Sequence, residues 1–229
     1  MSFARHRDFS LQRLTIGVER APLLVIDNAL ADADSLVHVA AGKPFGDVAS
    51  YYPGVRAKVP LTFQRFLLDD LRSEFVEFFG MNGAALHFTS CHFSLVTTPP
   101  AKLNYLQRIP HIDSLNSNEL AFILYLFKED LGGTSFYRHR NTGFEVVNQP
   151  RKAEYTRHLR AEQEAIERTA PGFINGNTEF YEVISRQEGI FNRMLAYRRT
   201  SLHSGDIRPD FVPITDPRKG RLSVNGFIA

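Results

Sequence analysis

From Leu86 onward the chain is written in short stretches rich in Phe, Val, Thr and Tyr, separated by Gly, Pro, Asn and Asp. This pattern limits the fold more than any other feature. His87 to Val96 alternates with a period of two, as a half-buried strand does. Further strands are expected at Arg108 to Asp113, Leu120 to Phe127, Thr134 to Arg138, Met194 to Tyr197 and Leu222 to Ile228. Ahead of them, Pro22 to Asp27 reads as a short buried strand. Ser35 to Ala41 reads as a helix capped by Asp32 or Asp34, and Phe66 to Phe79 as a second helix ending near Gly80. Gly42 to Pro60, dense in Gly, Pro and Tyr, reads as an irregular loop. Strands that follow helices in this way predict an α+β, mainly β layout, a curved sheet or barrel backed by helices.

One segment breaks the pattern. Arg151 to Thr169 is highly charged, lacks Gly, and places Tyr155, Leu159 and Ile166 on one side. It predicts a surface helix, either docked through that thin stripe or acting as a lid.

A chain of 229 residues can bury one substantial core, so a single domain is expected. Net charge is +2 and the basic residues are scattered, which argues against a nucleic-acid partner. The single cysteine, Cys91, cannot form an internal disulfide and suits a reducing compartment. No apolar h-region follows the basic N-terminus, and Leu120 to Phe127 is far shorter than the roughly 20 residues a bilayer demands. A soluble, cytoplasmic protein without a membrane partner is the expectation, with oligomeric state undetermined.

The chemistry concentrates in three places. His111 and Asp113 are two apart, so on an extended segment both side chains project the same way and can chelate one metal. A second imidazole, from His203, would complete a two-histidine, one-carboxylate set that leaves positions open for substrates. Arg221 and Ser223 share one face of the last strand, and Asn225 continues it. A buried Arg needs an anion, either a ligand carboxylate gripped by its two-pronged head or a core Asp or Glu. Tyr105 and Tyr125 lie near the ligand strands. His87 and His92 read as structural, and Arg138-His139-Arg140 as a solvated basic turn.

The ordered series His111-x-Asp113, His203, Arg221-x-Ser223 resembles the signature of Fe(II)/2-oxoglutarate-dependent dioxygenases over roughly residues 86–229. Gly132-Gly133 before Thr134 to Tyr137 is similar to a turn and strand in the prolyl-hydroxylase-like branch. The resemblance implies a double-stranded β-helix (jelly-roll, cupin-like) core over 86–229, with a helical insertion at about 150–170 and supporting elements in 1–85. It implies Fe(II) on His111, Asp113 and His203, and 2-oxoglutarate on Arg221 helped by Ser223, with O2 as oxidant; beside the resemblance, the hydroxyl of either Tyr105 or Tyr125 is a candidate cosubstrate contact, Tyr105 being favoured. Arg218 is the rival to Arg221. The carboxylate of Asp113 favours hydroxylation over halogenation, on a peptide, protein or small amino-acid-like substrate. The Tyr51-Tyr52-Pro53-Gly54 loop is a candidate for the mouth of the barrel. The competing readings are a metal-dependent cupin-like enzyme that does not use 2-oxoglutarate, and a non-catalytic jelly-roll binding protein.

Overall fold

The computed structural model describes residues 3–47 and 52–229. Its frame is an eight-stranded antiparallel sheet facing a three-stranded one. The large sheet contains β1 (Ser10–Ile16), β2 (Ala21–Asp27), β3 (Gly46–Asp47), β4 (Gly54–Lys58), β5 (Phe88–Val96), β6 (Leu120–Tyr125), β9 (Met194–Arg198) and β11 (Leu222–Ile228). Their spatial order is β1-β2-β9-β6-β11-β5-β4-β3. The small sheet is β7 (Gly133–His139) between β10 (His203–Asp206) and β8 (Tyr181–Gln187).

The central strands are apolar on both faces because both faces are covered. Leu24, Ile26, Phe122, Leu124, Met194 and Ala196 point one way, into a core shared with the helices. Leu23, Val25, Ala121, Ile123, Leu195 and Tyr197 point the other way, towards the small sheet, where they meet Phe136. This is period-two alternation within runs that look uniformly hydrophobic. The helices α1 (Asp34–Ala41), α2 (Leu61–Asp70) and α3 (Arg72–Glu77) insert Leu36, Ala40, Phe63, Leu67 and Phe75 into the first core. Each such fully buried large side chain contributes on the order of 1.5–3 kcal/mol.

Several expectations change. The single helix over 66–79 is instead α2 and α3. It starts directly after Pro60, whose extended ψ of 136° places it at the N-cap, and it breaks at Leu71, whose φ is −106°. The loop over 42–60 contains β3 and β4, with β4 paired to β5 from Gly54↔Val96 to Lys58↔His92. Tyr51 of the proposed mouth loop lies outside the described residues. Arg108 to Asp113 is not a continuous strand, and a single bridge joins His111 to His203. The charged segment forms α4 (Lys152–Glu167), which is docked against the small sheet. Tyr155 and Ile166 are buried with Tyr137, Tyr181 and Leu202 on the face of the small sheet opposite Phe136.

Gly132 and Gly133 are demanded by close packing. At Gly132, with φ +79°, a Cβ would stand 1.9 Å from the Asp206 carbonyl, and at Gly133 it would stand 1.8 Å from the Gln187 carbonyl. The chain enters β7 squeezed between its two neighbours, which only glycine allows. No helix among the described residues is long and apolar enough to cross a membrane.

Candidate metal centre

His203 opens β10 and exchanges both backbone hydrogen bonds with His111, at 2.9 and 3.0 Å, so the two imidazoles are carried on adjacent chain segments. Their ring centroids are 4.4 Å apart. Asp113 follows two residues on. Its Oδ1 lies 3.7 Å from His111 Nε2 and its Oδ2 lies 3.5 Å from His203 Nε2. One ligand atom from each of the three residues falls within 4.8 Å of the others.

The donor set fits a divalent transition metal. His203 Nδ1 lies 2.9 Å from the Ser201 carbonyl, which can only accept; the proton therefore sits on Nδ1 and the Nε2 lone pair is free. His111 keeps half of its side chain open to solvent and has the His203 ring against it. Desolvation, then the neighbouring His203 ring, lowers its pKa to about 4. Both effects favour the neutral imidazole that ligates metals. Ligands about 2.1 Å from a metal in cis positions lie roughly 3 Å apart, slightly closer than the pairs here. A small inward movement would close the cup.

Asp113 is fixed from behind. Its N–H donates to the Arg199 carbonyl at 2.8 Å, and Arg199 Nη2 donates to the Asp113 carbonyl at 2.8 Å. Arg199 is itself held by Glu119 and lies 3.9 Å over the Phe227 ring. The His203 ring packs 4.7 Å from Tyr197, centroid to centroid.

Arg221 is 4% exposed and donates from Nε to the Leu131 carbonyl at 3.0 Å and from Nη2 to the Gly133 carbonyl at 2.7 Å. Among the described residues it forms no ion pair with a carboxylate, and burial pulls its pKa below the usual guanidinium range. Gly205, two residues along β10 from His203, borders it: a Cβ there would lie 3.8 Å from Arg221 Nη2. One short strand therefore carries the third candidate ligand and, two residues on, a glycine beside the buried cation.

Ser223 is buried next to Ser94 in register, and its Oγ lies 2.5 Å from Asn225 Oδ1. Arg218 is on the surface with Asp216 and is not a structural rival to Arg221. Tyr105 packs against α4, its hydroxyl donating to the Leu159 carbonyl at 3.0 Å, so its single proton is already used. Tyr125 joins the two sheets by a 2.7 Å bond to Thr134. His87 lies at the surface against the Ala85 carbonyl, whereas His92 stands on β5 near Arg56 and Lys58. The Arg138-His139-Arg140 turn is not simply solvated. His139 is fully buried, 2.9 Å from Glu162 of α4, and Arg138 pairs with Glu145 and Glu182.

Two residues of this region were missed in the sequence, Arg56 and Arg199, whereas Tyr52 was read as part of a candidate mouth loop. Gly54 to Lys58 does carry a strand signal, with Val55 and Ala57 alternating against Arg56 and Lys58, but Gly and Pro beside it obscure the alternation.

The fold has relatives among solved structures. HygX from Streptomyces hygroscopicus, solved with nickel, 2-oxoglutarate and hygromycin B bound, superposes with a TM-score of 0.52. It is 11% identical, over 92% of this chain and 84% of HygX. SnoK, a non-heme alpha ketoglutarate dependent carbocyclase from nogalamycin biosynthesis, gives 0.46 at 10% identity over 92% and 80% of the two chains. EctD from S. alaskensis with bound Fe gives 0.46 at 12% identity over 96% and 84%. No curated protein matches the sequence. The family described as "Family of unknown function (DUF6445)" matches residues 7–228, and the chain belongs to that family.

Proposed function

We propose that the protein is an Fe(II)- and 2-oxoglutarate-dependent oxygenase that hydroxylates a peptide, protein or small amino-acid-like substrate. The carrying observation is the joint presence of the His111, Asp113 and His203 cluster and a buried Arg221 without a carboxylate partner, linked through β10. A desolvated guanidinium left unpaired is costly, and a ligand carboxylate would offset that cost with a two-pronged contact. The fold shared with HygX, which was solved with 2-oxoglutarate bound, agrees with this reading. On the same reading the two sheets are the two halves of a double-stranded β-helix.

In this scheme His111, Asp113 and His203 hold the iron. Arg221 binds the distal carboxylate of 2-oxoglutarate, and Ser223 lines the same face of the sheet. When bound, iron and 2-oxoglutarate supply the oxidation of a C–H bond by O2, one oxygen atom leaving in succinate and the other in the hydroxyl product. The chain's own work is orientation and exclusion of water. Arg199 fixes Asp113, the Ser201 carbonyl fixes the His203 ring, and Val96, Leu103, Phe173, Ile207 and Phe211 form an apolar cluster in which Ile207 reaches Gly205 beside Arg221.

The test has two parts. Anaerobic addition of 2-oxoglutarate to the iron-loaded protein is expected to produce a visible charge-transfer band, lost in Arg221→Ala. Under oxygen, 2-oxoglutarate is expected to yield succinate, and His111→Ala is expected to abolish this. Iron retention with no band would favour a cupin-like enzyme without 2-oxoglutarate. Failure to retain iron would favour a non-catalytic binding protein.

A further inference from the structure

The space between the two sheets, the recess, holds a second guanidinium that the proposed cosubstrate does not need. Arg56 on β4 faces Ser94 on β5, which faces Ser223 on β11, which in turn faces Tyr125 on β6. These four residues form one row across the large sheet. The Tyr125 bond to Thr134 of the small sheet shows that the row points into the space between the sheets. Arg56 lies 4.6 Å over the Tyr52 ring, which orients its plane. Its Nε is buried without a hydrogen-bond partner among the described residues. It makes no ion pair among them, and the remaining residues of the chain carry no acidic side chain.

The two guanidiniums look at different parts of the recess. Arg221 acts electrostatically on Tyr125, Tyr52 and Asp206, and Asp206 is already answered by Arg186 at 2.6 Å. Arg56 acts on Tyr52, Asp113 and His111. Tyr52 feels both, and Arg56 is the one whose charge reaches the candidate metal ligands His111 and Asp113.

Charge balance then points to a ligand. Asp113 brings one negative charge against the positive charges of Arg56 and Arg221. A divalent metal and doubly charged 2-oxoglutarate cancel each other, so one positive charge is left over beside the buried Arg221 and the half-buried Arg56. A monoanion would neutralise it. We infer that Arg56 is a specificity-determining residue that grips a carboxylate of the primary substrate and holds the substrate beside the metal. The inference rests on the oxygenase reading and narrows its substrate class to carboxylates.

The experiment uses the full chain loaded with Mn(II) and the inert cosubstrate analogue N-oxalylglycine, with acetate as the probe. Paramagnetic relaxation of the acetate protons reports acetate close to the metal and needs no turnover. Saturable enhancement is expected, with the acetate affinity falling about tenfold or more in Arg56→Gln, the loss of one charge-assisted contact. Inorganic phosphate, a mixture of mono- and dianion near neutral pH, is expected to compete more weakly than acetate; tighter phosphate binding would overturn the assignment to a carboxylate. Equal acetate binding by the wild type and Arg56→Gln would overturn the role of Arg56, as would an absence of saturation. Loss of N-oxalylglycine affinity in Arg56→Gln would assign Arg56 to the cosubstrate and overturn the proposal as well. Metal content is measured separately. If the protein retains no metal, the oxygenase reading fails, and saturation-transfer from the metal-free protein to acetate still decides whether Arg56 binds a carboxylate.

Discussion

Asp113 and Arg199 are tied to each other twice, by the Asp113 N–H on the Arg199 carbonyl and by the Arg199 guanidinium on the Asp113 carbonyl, both at 2.8 Å. The backbone of a candidate ligand is therefore set by a residue 86 positions away in sequence. Groups that orient ligands in this way typically govern about 10- to 100-fold of metal affinity. Arg199→Lys keeps a positive charge near Glu119 but loses the fork. It is expected to weaken Mn(II) binding by about tenfold, read by electron paramagnetic resonance titration, while the thermal unfolding midpoint of the metal-free protein moves little. Unchanged affinity would show that Asp113 needs no such support.

If the proposed centre binds metal, metal should stabilise the fold, because the three candidate ligands come together only in the native state. At a free metal concentration 100 times the dissociation constant, the gain is about 2.7 kcal/mol. Adding Mn(II) or Ni(II) is expected to raise the unfolding temperature by several degrees, and a chelator should reverse the shift. In His203→Ala the shift should vanish. A rise of the same size in that variant would mean that the metal binds elsewhere.

Much of the large sheet was legible in the sequence because burial on both faces leaves an apolar signature: β2, β5, β6, β9 and β11 were all expected near their observed positions. The strands that escaped are polar or short. β1 and β8 are edge strands with mostly exposed or half-exposed side chains, so neither carries the alternation that burial imposes. β10 is four residues long, and its His203-Ser204-Gly205-Asp206 sequence carries chemistry where a strand signal would be. His111, Asp113 and Arg221 stood out as residue types in an unusual order. Arg56 did not, because nothing local tells a buried arginine from one in an exposed loop; its place follows from register with β5.

Alkaline instability follows from buried acids, Cys91 and Tyr125 among them. Burial pushes the Cys91 thiol up to about 12 from 9.0, and burial, partly offset by the Thr134 hydrogen bond, pushes the Tyr125 phenol up to about 12 from 10.0. Between those values the unfolded chain has released protons that the folded chain still holds, so stability falls as pH rises. Within its window each group costs up to about 1.4 kcal/mol per pH unit. The urea midpoint is expected to be flat up to pH about 9 and then to drop. Cys91→Ser should make the drop shallower. A midpoint held constant through pH 11 would contradict the burial of both groups.

Gly132 links the fold to the metal centre. Its positive φ and the 1.9 Å approach of the Asp206 carbonyl leave no place for a side chain. In Gly132→Ala the obstacle is backbone, so β7 and β10 must part, and β10 carries His203. Destabilisation of about 2–4 kcal/mol is expected in urea unfolding, from the strained φ together with the steric conflict. Metal affinity should fall in the same variant. Gly143→Ala is the control: its φ is also positive, at +72°, but a Cβ there meets nothing within 4 Å, so it should cost only the conformational part, about 1 kcal/mol.

Helix α4 distinguishes a docked element from a moving cover. Glu162 is buried; it accepts from Asn141 Nδ2 at 2.7 Å and lies 2.9 Å from His139 Nε2. Tyr105 and Arg108 bind the helix from the side of the metal-binding segment: Tyr105 caps the Leu159 carbonyl, and Arg108 donates to the Ile166 carbonyl at 2.9 Å. Glu162→Ala leaves His139 and Asn141 without their shared acceptor inside the protein, which costs about 1–3 kcal/mol. Docking predicts this loss in thermal unfolding, with metal affinity unchanged because His203 is held on β10, His111 by its bridge to His203, and Asp113 by Arg199. A lid would behave differently: the variant would keep its stability and open the recess, with faster hydrogen exchange confined to α4. The buried Tyr155 and Ile166 stripe favours the first outcome, since freeing the helix would expose both side chains to water.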